Sequence, residues 1–404
     1  MNDLANSFQK PFSDELKALG TDPIPAAPYY DPAWFELEKQ AIFRRTWLNV
    51  GHVCELPEPN SFIVRELEFA RSSIIIARGK DGEIRAFRNV CTHRGTQLTG
   101  ATEGRQATFS CPYHMWTFGS DGKFLSAPDF ERFYIGDKSK CDLPRVSVDT
   151  CAGLIFINLD PNPKQGLAEF LGPMCEMIST LPIGRSTTFD EYVYDIDANW
   201  KVAFDNFQEN YHLRFVHRRT NGAPPLDSRP NPFNYPTSYD VFGPHRMDTS
   251  PGGEVPGMES KPLLGFLMGK MGEQLVADGL LGGPYDRDYF IFFPNLYVFG
   301  NPSMHFTHMI LPLSAGKSRG VFRFYWIGDD RTARERLARE LALSFAREIH
   351  VEDCEPLESA QRGIGCGAIE AFHFQEQEIN CRHLLSAVRD AVREYAEAQE
   401  EGHS

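Results

Sequence analysis

Three textures of apolar and polar positions follow one another along the chain. Over residues 10–48 the apolar positions recur at helical spacing, most clearly in "DPAWFELEKQAIFRRTW". There Trp34, Phe35, Leu37, Ile42 and Phe43 supply an apolar side, Asp31 can cap and Pro32 suits a first turn. From about 50 to 160 short β-rich runs take over: "SFIVREL", "SSIIIARG", "EIRAFRNV", "ATFSC" and "LIFINLD". Turn signals such as "GKDGE" and "GSDGK" separate them, which predicts a small all-β domain.

After "DPNPKQG" the texture is mixed. "LAEFLGPMCEMISTL" and "KVAFDNFQENYHLRFVH" read as helices, and "TTFDEYVYDIDANW" as a strand. Residues 222–285, rich in Gly and Pro, predict long loops over a site. "YFIFFPNLYVFG", "MHFTHMILPLS" and "RGVFRFYWIG" read as three strands. Two long helices follow, "ERLARELALSFAREIHVEDCEPLESAQRG" and "QEINCRHLLSAVRDAVREYAEAQ". Strands followed by helices indicate an α+β domain with an antiparallel sheet. The expected division is an N-terminal helical segment, 1–44, the all-β domain, 45–160, and the α+β domain, 161–404.

Composition narrows the partners more than the fold. The 404 residues allow two or three domains, and 42% hydrophobic with 24% charged residues is the balance of a globular protein. A net charge of −14 argues against nucleic acid, which needs a basic face. The apolar runs are too short and broken to cross a bilayer, and the start lacks the pattern of a signal peptide. Nine scattered cysteines argue against a disulfide framework, so the expectation is a cytoplasmic protein.

Chemistry concentrates in two stretches. The first carries Cys91-x-His93 and Cys111-x-x-His114, with 17 residues between the pairs. A Cys₂His₂ set suits tetrahedral zinc, or a 2Fe–2S cluster with both thiolates on one iron and both imidazoles on the other. Zinc fingers usually pair Cys with Cys and His with His, whereas here each loop carries one of each. The second stretch is "NWKVAFDNFQENYHLRFVH", with His212 and His217 five residues apart. On a straight helix these would diverge by about 140°, so they meet at one metal only if the helix ends or bulges between them.

"CTHRG" and "CPYH.W.F" resemble the Rieske loops of bacterial ring-hydroxylating oxygenases. "NWK…DNF.ENYH….H" and the late "ED…QRG" helix resemble the iron segments of the same family, the catalytic (alpha) subunits of Rieske non-haem iron oxygenases. The resemblance spans roughly 28–395. It implies an α+β fold in which a small all-β Rieske domain is inserted in a helix-grip domain, a curved antiparallel sheet around a helix. It implies a 2Fe–2S cluster on Cys91, His93, Cys111 and His114, and a mononuclear Fe(II) on His212, His217 and Asp353. Glu209 stands where the family usually has Asp. By resemblance it holds an iron-bound His and reaches a Rieske His of a neighbouring subunit, while Asn206 lies near the iron. Some family members that act on quaternary amines share a Glu at this position.

The implied function is a terminal oxygenase that hydroxylates or dihydroxylates an aromatic substrate with O₂. Electrons come from a ferredoxin or flavin reductase, since the chain shows no G-x-G-x-x-G fingerprint. The alternative is a monooxygenase or demethylase acting on a quaternary amine or methyl ether. The implied assembly is a homotrimer, with or without a small β subunit, in which one chain's cluster serves the next chain's iron. A Rieske electron carrier would leave some 240 residues unexplained, and a zinc-stapled binding protein would be colourless.

Overall fold

The computed structural model describes residues 12–220, 235–250, 262–277, 287–301, 304–328 and 332–402. The chain divides into two compact units. One is Ile42–Phe170, and the other combines the residues up to Ala41 with those from Leu171 onward.

The Ile42–Phe170 unit is all-β in its regular structure apart from short single turns. Its larger sheet has seven strands in the order Leu48–His52, Leu154–Asn158, Arg145–Cys151, Ile84–Arg88, Ser72–Arg78, Ser61–Leu67, Glu103–Arg105. A smaller sheet joins Thr108–Ser110, Thr117–Gly119 and Phe124–Ser126. Phe62, Ile75, Phe87, Phe109, Trp116 and Phe118 form a continuous core with Cys91 and Cys111. The two loops that carry the cysteines are therefore rooted in the core rather than laid over it.

The second unit is built on a curved seven-stranded antiparallel sheet. Its order is Thr188–Ile196, Lys317–Trp326, Met304–Ser314, Leu296–Asn301, Arg287–Phe292, His245–Ser250, Ser238–Phe242. The 33-residue helix Ala333–Gly365 packs on one face of it. Ala338, Ala342, Leu343 and Phe345 meet Phe322, Phe324 and Trp326 there. Thr332 and Glu335 form a capping box that starts this helix. Pro356 sits inside it. A proline there removes the hydrogen bond to the carbonyl four residues earlier, which is that of Glu352. The helix is thus loosened at the turn that carries Glu352 and Asp353.

"NWK" acquires a physical reason in this unit. Asn199 caps the helix Trp200–Asp205, its side chain accepting from Lys201 N (3.0 Å). Trp200 Nε1 donates to Glu38 Oε2 (2.8 Å), and Lys201 Nζ reaches Glu38 Oε1 (2.6 Å). Lys201 and Glu38 are both completely buried. Leaving either one alone would strand a buried charge, at a cost of about 3–5 kcal/mol. The N-terminal helix Pro32–Glu38 is fastened to the site-bearing helix by this pair. From the other side, Gln361 accepts from Asn199 N (2.7 Å) and donates to the Tyr29 carbonyl (3.2 Å).

Several expected elements change. "YFIFFPNLYVFG" is a hairpin, Arg287–Phe292 and Leu296–Asn301, because Pro294 cannot continue a ladder. The 222–285 stretch is not all loop. It contains the hairpin Ser238–Phe242/His245–Ser250 and the helix Pro262–Ala277, while residues 221–234, 251–261 and 278–286 lie outside the described residues. "KVAFDNFQENYHLRFVH" is not one helix. Trp200–Asp205 gives way to a single tight turn, Asn206–Gln208, then to extended backbone at Glu209, then to the short helix Leu213–Val216. The Glu209 carboxylate accepts from the backbone N–H of Tyr211 and of His212, and this local bonding competes with helix continuation.

Candidate metal centres

The two Cys/His loops are built alike. In each, the cysteine N–H donates to the carbonyl five residues on: Cys91 to Thr96 (2.8 Å), Cys111 to Trp116 (2.8 Å). In each, the cysteine carbonyl accepts from the N–H four residues on: Gly95 (2.9 Å) and Met115 (3.0 Å). In each, that fourth residue has left-handed backbone, φ +81° at Gly95 and +58° at Met115. One loop uses the residue suited to that conformation, and the other strains a methionine into it. Within one shared geometry, the histidine sits two residues after the first cysteine and three after the second.

These loops bring the four side chains together in pairs. The Cys91 and Cys111 thiols are within hydrogen-bonding reach of each other. The His93 and His114 rings lie 4.7 Å apart. His93 stacks on Trp116 at 4.9 Å and 7°. Burial, and then the His114 charge, push the His93 pKa down, so its imidazole is held neutral. Nδ1 of both histidines is buried without a hydrogen-bond partner. A thiol pair beside an imidazole pair with two free buried ring nitrogens matches the donor set of a Rieske cluster.

The second constellation draws on distant parts of the chain. His212 and His217 flank the helix Leu213–Val216, one just before it and one just after. Asp353 comes from the turn loosened by Pro356. His212, His217 and Asp353 each offer one ligand atom, and these lie within 4.8 Å of one another. Asp353 Oδ1 is 3.3 Å from His217 Nε2 and 3.7 Å from His212 Nε2. Bonds of about 2.1 Å meeting at roughly 90–110° place donor atoms about 3.0–3.4 Å apart, so a cation fits with little movement. Asp353 Oδ1 is buried without a hydrogen-bond partner.

The outer ring nitrogens are both occupied. His212 Nδ1 pairs with Glu209 Oε1 (2.5 Å), and His217 Nδ1 with Glu352 Oε2 (3.0 Å). Each carboxylate fixes a tautomer that leaves Nε2 free to bind a metal. Glu352 is held in turn by the Thr220 hydroxyl (2.5 Å) and by Arg219 (3.5 Å). The Asn206 amide faces Asp353 without closing a hydrogen bond. Burial raises the Asp353 pKa, against the pull of His217 and His212. Burial opposes a charged His212, but Glu209, by hydrogen bond and by charge, and Asp353 outweigh it and raise that pKa. Three carboxylates around two imidazoles leave the site short of positive charge, the condition a divalent cation relieves.

Two known families match the chain. Residues 46–145 match the Rieske [2Fe-2S] domain, and residues 184–394 match the ring hydroxylating alpha subunit (catalytic domain). The chain belongs to the ring-hydroxylating alpha-subunit family. Both the Rieske domain and the catalytic domain for mononuclear iron are present. Among relatives of this alpha subunit is the carnitine monooxygenase oxygenase subunit of Acinetobacter baumannii. It is 37% identical over 200 residues, which are 48% of this chain and 52% of that protein. Another is the 2-aminobenzenesulfonate 2,3-dioxygenase subunit alpha of an Alcaligenes species, 36% identical over 198 residues, 48% of this chain and 50% of that one. In these matches the chain spans about half the length of the curated relatives. A solved quaternary ammonium Rieske monooxygenase, described for carnitine oxidation and inter-subunit electron transfer, shares the fold. Its TM-score is 0.74 at 22% identity, over 95% of this chain and 99% of that one. No helix among the described residues is long and apolar enough to cross a membrane.

The nine site residues expected from the sequence fall into these two groups. Sequence reasoning passed over Glu352, which braces His217. It also passed over His308, His350 and Tyr194, which lie beside the second site. A signal for His308 was available: "MHFTH" puts two histidines, His305 and His308, in an otherwise apolar strand.

Proposed function

We propose that this alpha subunit is the terminal oxygenase component of a multicomponent Rieske system, hydroxylating an organic substrate with O₂. The convergence of His212 Nε2, His217 Nε2 and Asp353 Oδ1, each histidine braced by its own carboxylate, carries the reading. Cys91 and Cys111 would hold one iron of the cluster, His93 and His114 the other through Nδ1, and His212, His217 and Asp353 the mononuclear Fe(II). When bound, the cluster supplies electrons one at a time, and the ferrous ion offers open positions where O₂ and substrate meet. The protein's part is placement. Glu209 and Glu352 aim the imidazoles. Phe207, Phe306, Phe322, Tyr192 and Tyr194 wall the adjoining face of the sheet and keep water from it.

Electrons come from a separate ferredoxin or flavin reductase. Head-to-tail homotrimers, with or without a small β subunit, would set one chain's cluster beside the next chain's iron, with Glu209 as the link from His212 to a partner's cluster histidine. An aromatic substrate, mono- or dihydroxylated, suits the aromatic wall. A quaternary amine is the second reading. The carnitine monooxygenase relative and the Glu at position 209 favour it, and aromatic faces attract an ammonium group.

The test is O₂ uptake with a surrogate reductase, coupled to product detection by mass over aromatic and quaternary-amine panels. His212→Ala should abolish product while the red-brown colour persists. Turnover surviving that change would show that the chemistry lies elsewhere.

A further inference from the structure

The wall beside the Asp353 site contains one polar atom that the fold leaves unanswered. His308 lies on the strand Met304–Ser314, opposite Phe322 in register and so on the same face of the sheet. Its ring stacks on Phe322 at 3.7 Å and 2°, and Phe207 meets it edge-on at 4.1 Å. Phe207 directly follows Asn206, whose amide faces Asp353. Tyr194 closes the remaining side. It lies across Gly320, where any side chain would collide with it: a Cβ would fall 2.0 Å from the Tyr194 ring. Tyr194 is close enough to Asp353 to feel its charge. His308 is thus bracketed by Tyr194, which senses the Asp353 charge, and by Phe207, the chain neighbour of Asn206.

The Tyr194 hydroxyl and His308 Nε2 are 2.8 Å apart. His308 Nδ1 is buried and has no partner. If Tyr194 donates to Nε2, one group is left over, an Nδ1–H. If Nε2–H donates to Tyr194, the phenol proton and Nδ1 are both left over. The first arrangement strands fewer groups and is favoured. Burial, and then the neighbouring His350, hold this histidine neutral. An unanswered N–H in a dry aromatic wall is unfavourable, and a hydrogen-bonding ligand would relieve it.

We propose that His308 anchors the substrate of the mononuclear site, presenting a buried Nδ1–H to an acceptor oxygen. The site then selects compounds bearing a carboxylate, sulfonate, hydroxyl or carbonyl over bare hydrocarbons and bare ammonium ions. Tyr194 is the positioning residue that fixes the tautomer. This rests on the oxygenase reading above and adds the chemical handle by which the substrate is held.

Two matched pairs of probes test it by titration calorimetry on the iron-loaded protein: anthranilate against naphthalene, and L-carnitine against tetramethylammonium. Metal analysis and the cluster absorbance are recorded for every variant. The oxygen-bearing member of at least one pair should bind ten-fold or more tighter than its partner. His308→Phe, which preserves the stack on Phe322, should erase that preference with iron and colour retained. His308→Asn keeps an N–H near the Nδ1 position and should restore most of it. Tyr194→Phe should weaken it several-fold. If the bare compounds bind as tightly, or the preference survives His308→Phe, the anchor is wrong and Nδ1 serves only a buried water. A wild-type protein that binds no mononuclear iron would instead defeat the oxygenase reading, a result the metal analysis reports separately.

Discussion

The two metal sites reach the same end, a set of side chains with free lone pairs aimed inward, by opposite routes. The Cys/His loops are local. Their four side chains lie within 24 consecutive residues, Cys91 to His114, and two copies of one hydrogen-bonding pattern place them. The mononuclear site is assembled at a distance. His212 and His217 meet an aspartate 136 positions beyond His217, and their geometry depends on Glu352, on the Pro356 turn and on the buried Glu38–Lys201 pair. A local site rides on its own turns. A distant one depends on every anchor that holds its parts.

The largest effect that could break this contrast is reciprocal loss. Asp353→Ala should remove mononuclear iron and all oxygenation while leaving the cluster spectrum intact. Cys111→Ala should bleach the cluster and leave mononuclear iron in place. Iron and sulfide analysis of both variants decides it, and joint loss in either one would mean that the sites are not separable.

The braces come next. Glu352→Ala should cut Fe(II) affinity about 10–100-fold, the usual cost of losing a carboxylate behind a metal-bound histidine. Glu352→Gln, which still accepts from His217 Nδ1, should recover part of it. Competition with a chelator measures both. Equal affinity in all three proteins would leave Glu352 without this role.

A smaller effect is confined to pH. Asp205 accepts from Tyr29 (2.8 Å) and Gln208 (3.0 Å), and burial raises its pKa to about 7 despite them. The folded state therefore holds this proton more tightly than the unfolded chain. Its stabilising contribution is full below about pH 4 and is lost as pH rises to about 7, at up to about 1.4 kcal/mol per pH unit. Asp205→Asn should remove that slope from the catalytic unit, as seen by denaturant titrations at pH 5 and pH 8. A difference between wild type and variant that does not change with pH would count against it.

The smallest effects belong to the loops. Met115→Gly relieves left-handed backbone but frees the unfolded chain, so stability should shift by about 1 kcal/mol or less. Gly95→Ala meets no atom within 4 Å and pays only for its φ, a change of similar size in the unfavourable direction. Melting followed by cluster absorbance checks both. Collapse of the cluster in either variant would show that the shared loop pattern is less tolerant than its two natural versions suggest.

Legibility in the sequence followed the same divide. The Cys/His spacing could be read because each loop is a short, self-contained pattern. Periodicity reads 201–217 as one helix, because what ends it is a bond from the Glu209 side chain to nearby N–H groups, not a break in periodicity. The hairpin in 287–301 is hidden in the sequence because "YFIFF" and "LYVF" form one nearly unbroken apolar run, in which Pro294 is the main mark of the turn. Glu352 gave no signal of its own, since an acid on a helix surface usually faces water.

The sequence alone determined which atoms are offered to metal, and in what local frames, because ligand type and short-range spacing are covalent facts. Tertiary structure decided what those frames meet: that Asp353 arrives between two imidazoles, that each imidazole has a carboxylate behind it, and that His308 looks onto an aromatic wall beside them. The contacts of Asp353 with both imidazoles and of Glu352 with His217 join residues more than a hundred positions apart. They exist only once the buried anchors have fixed helix against sheet.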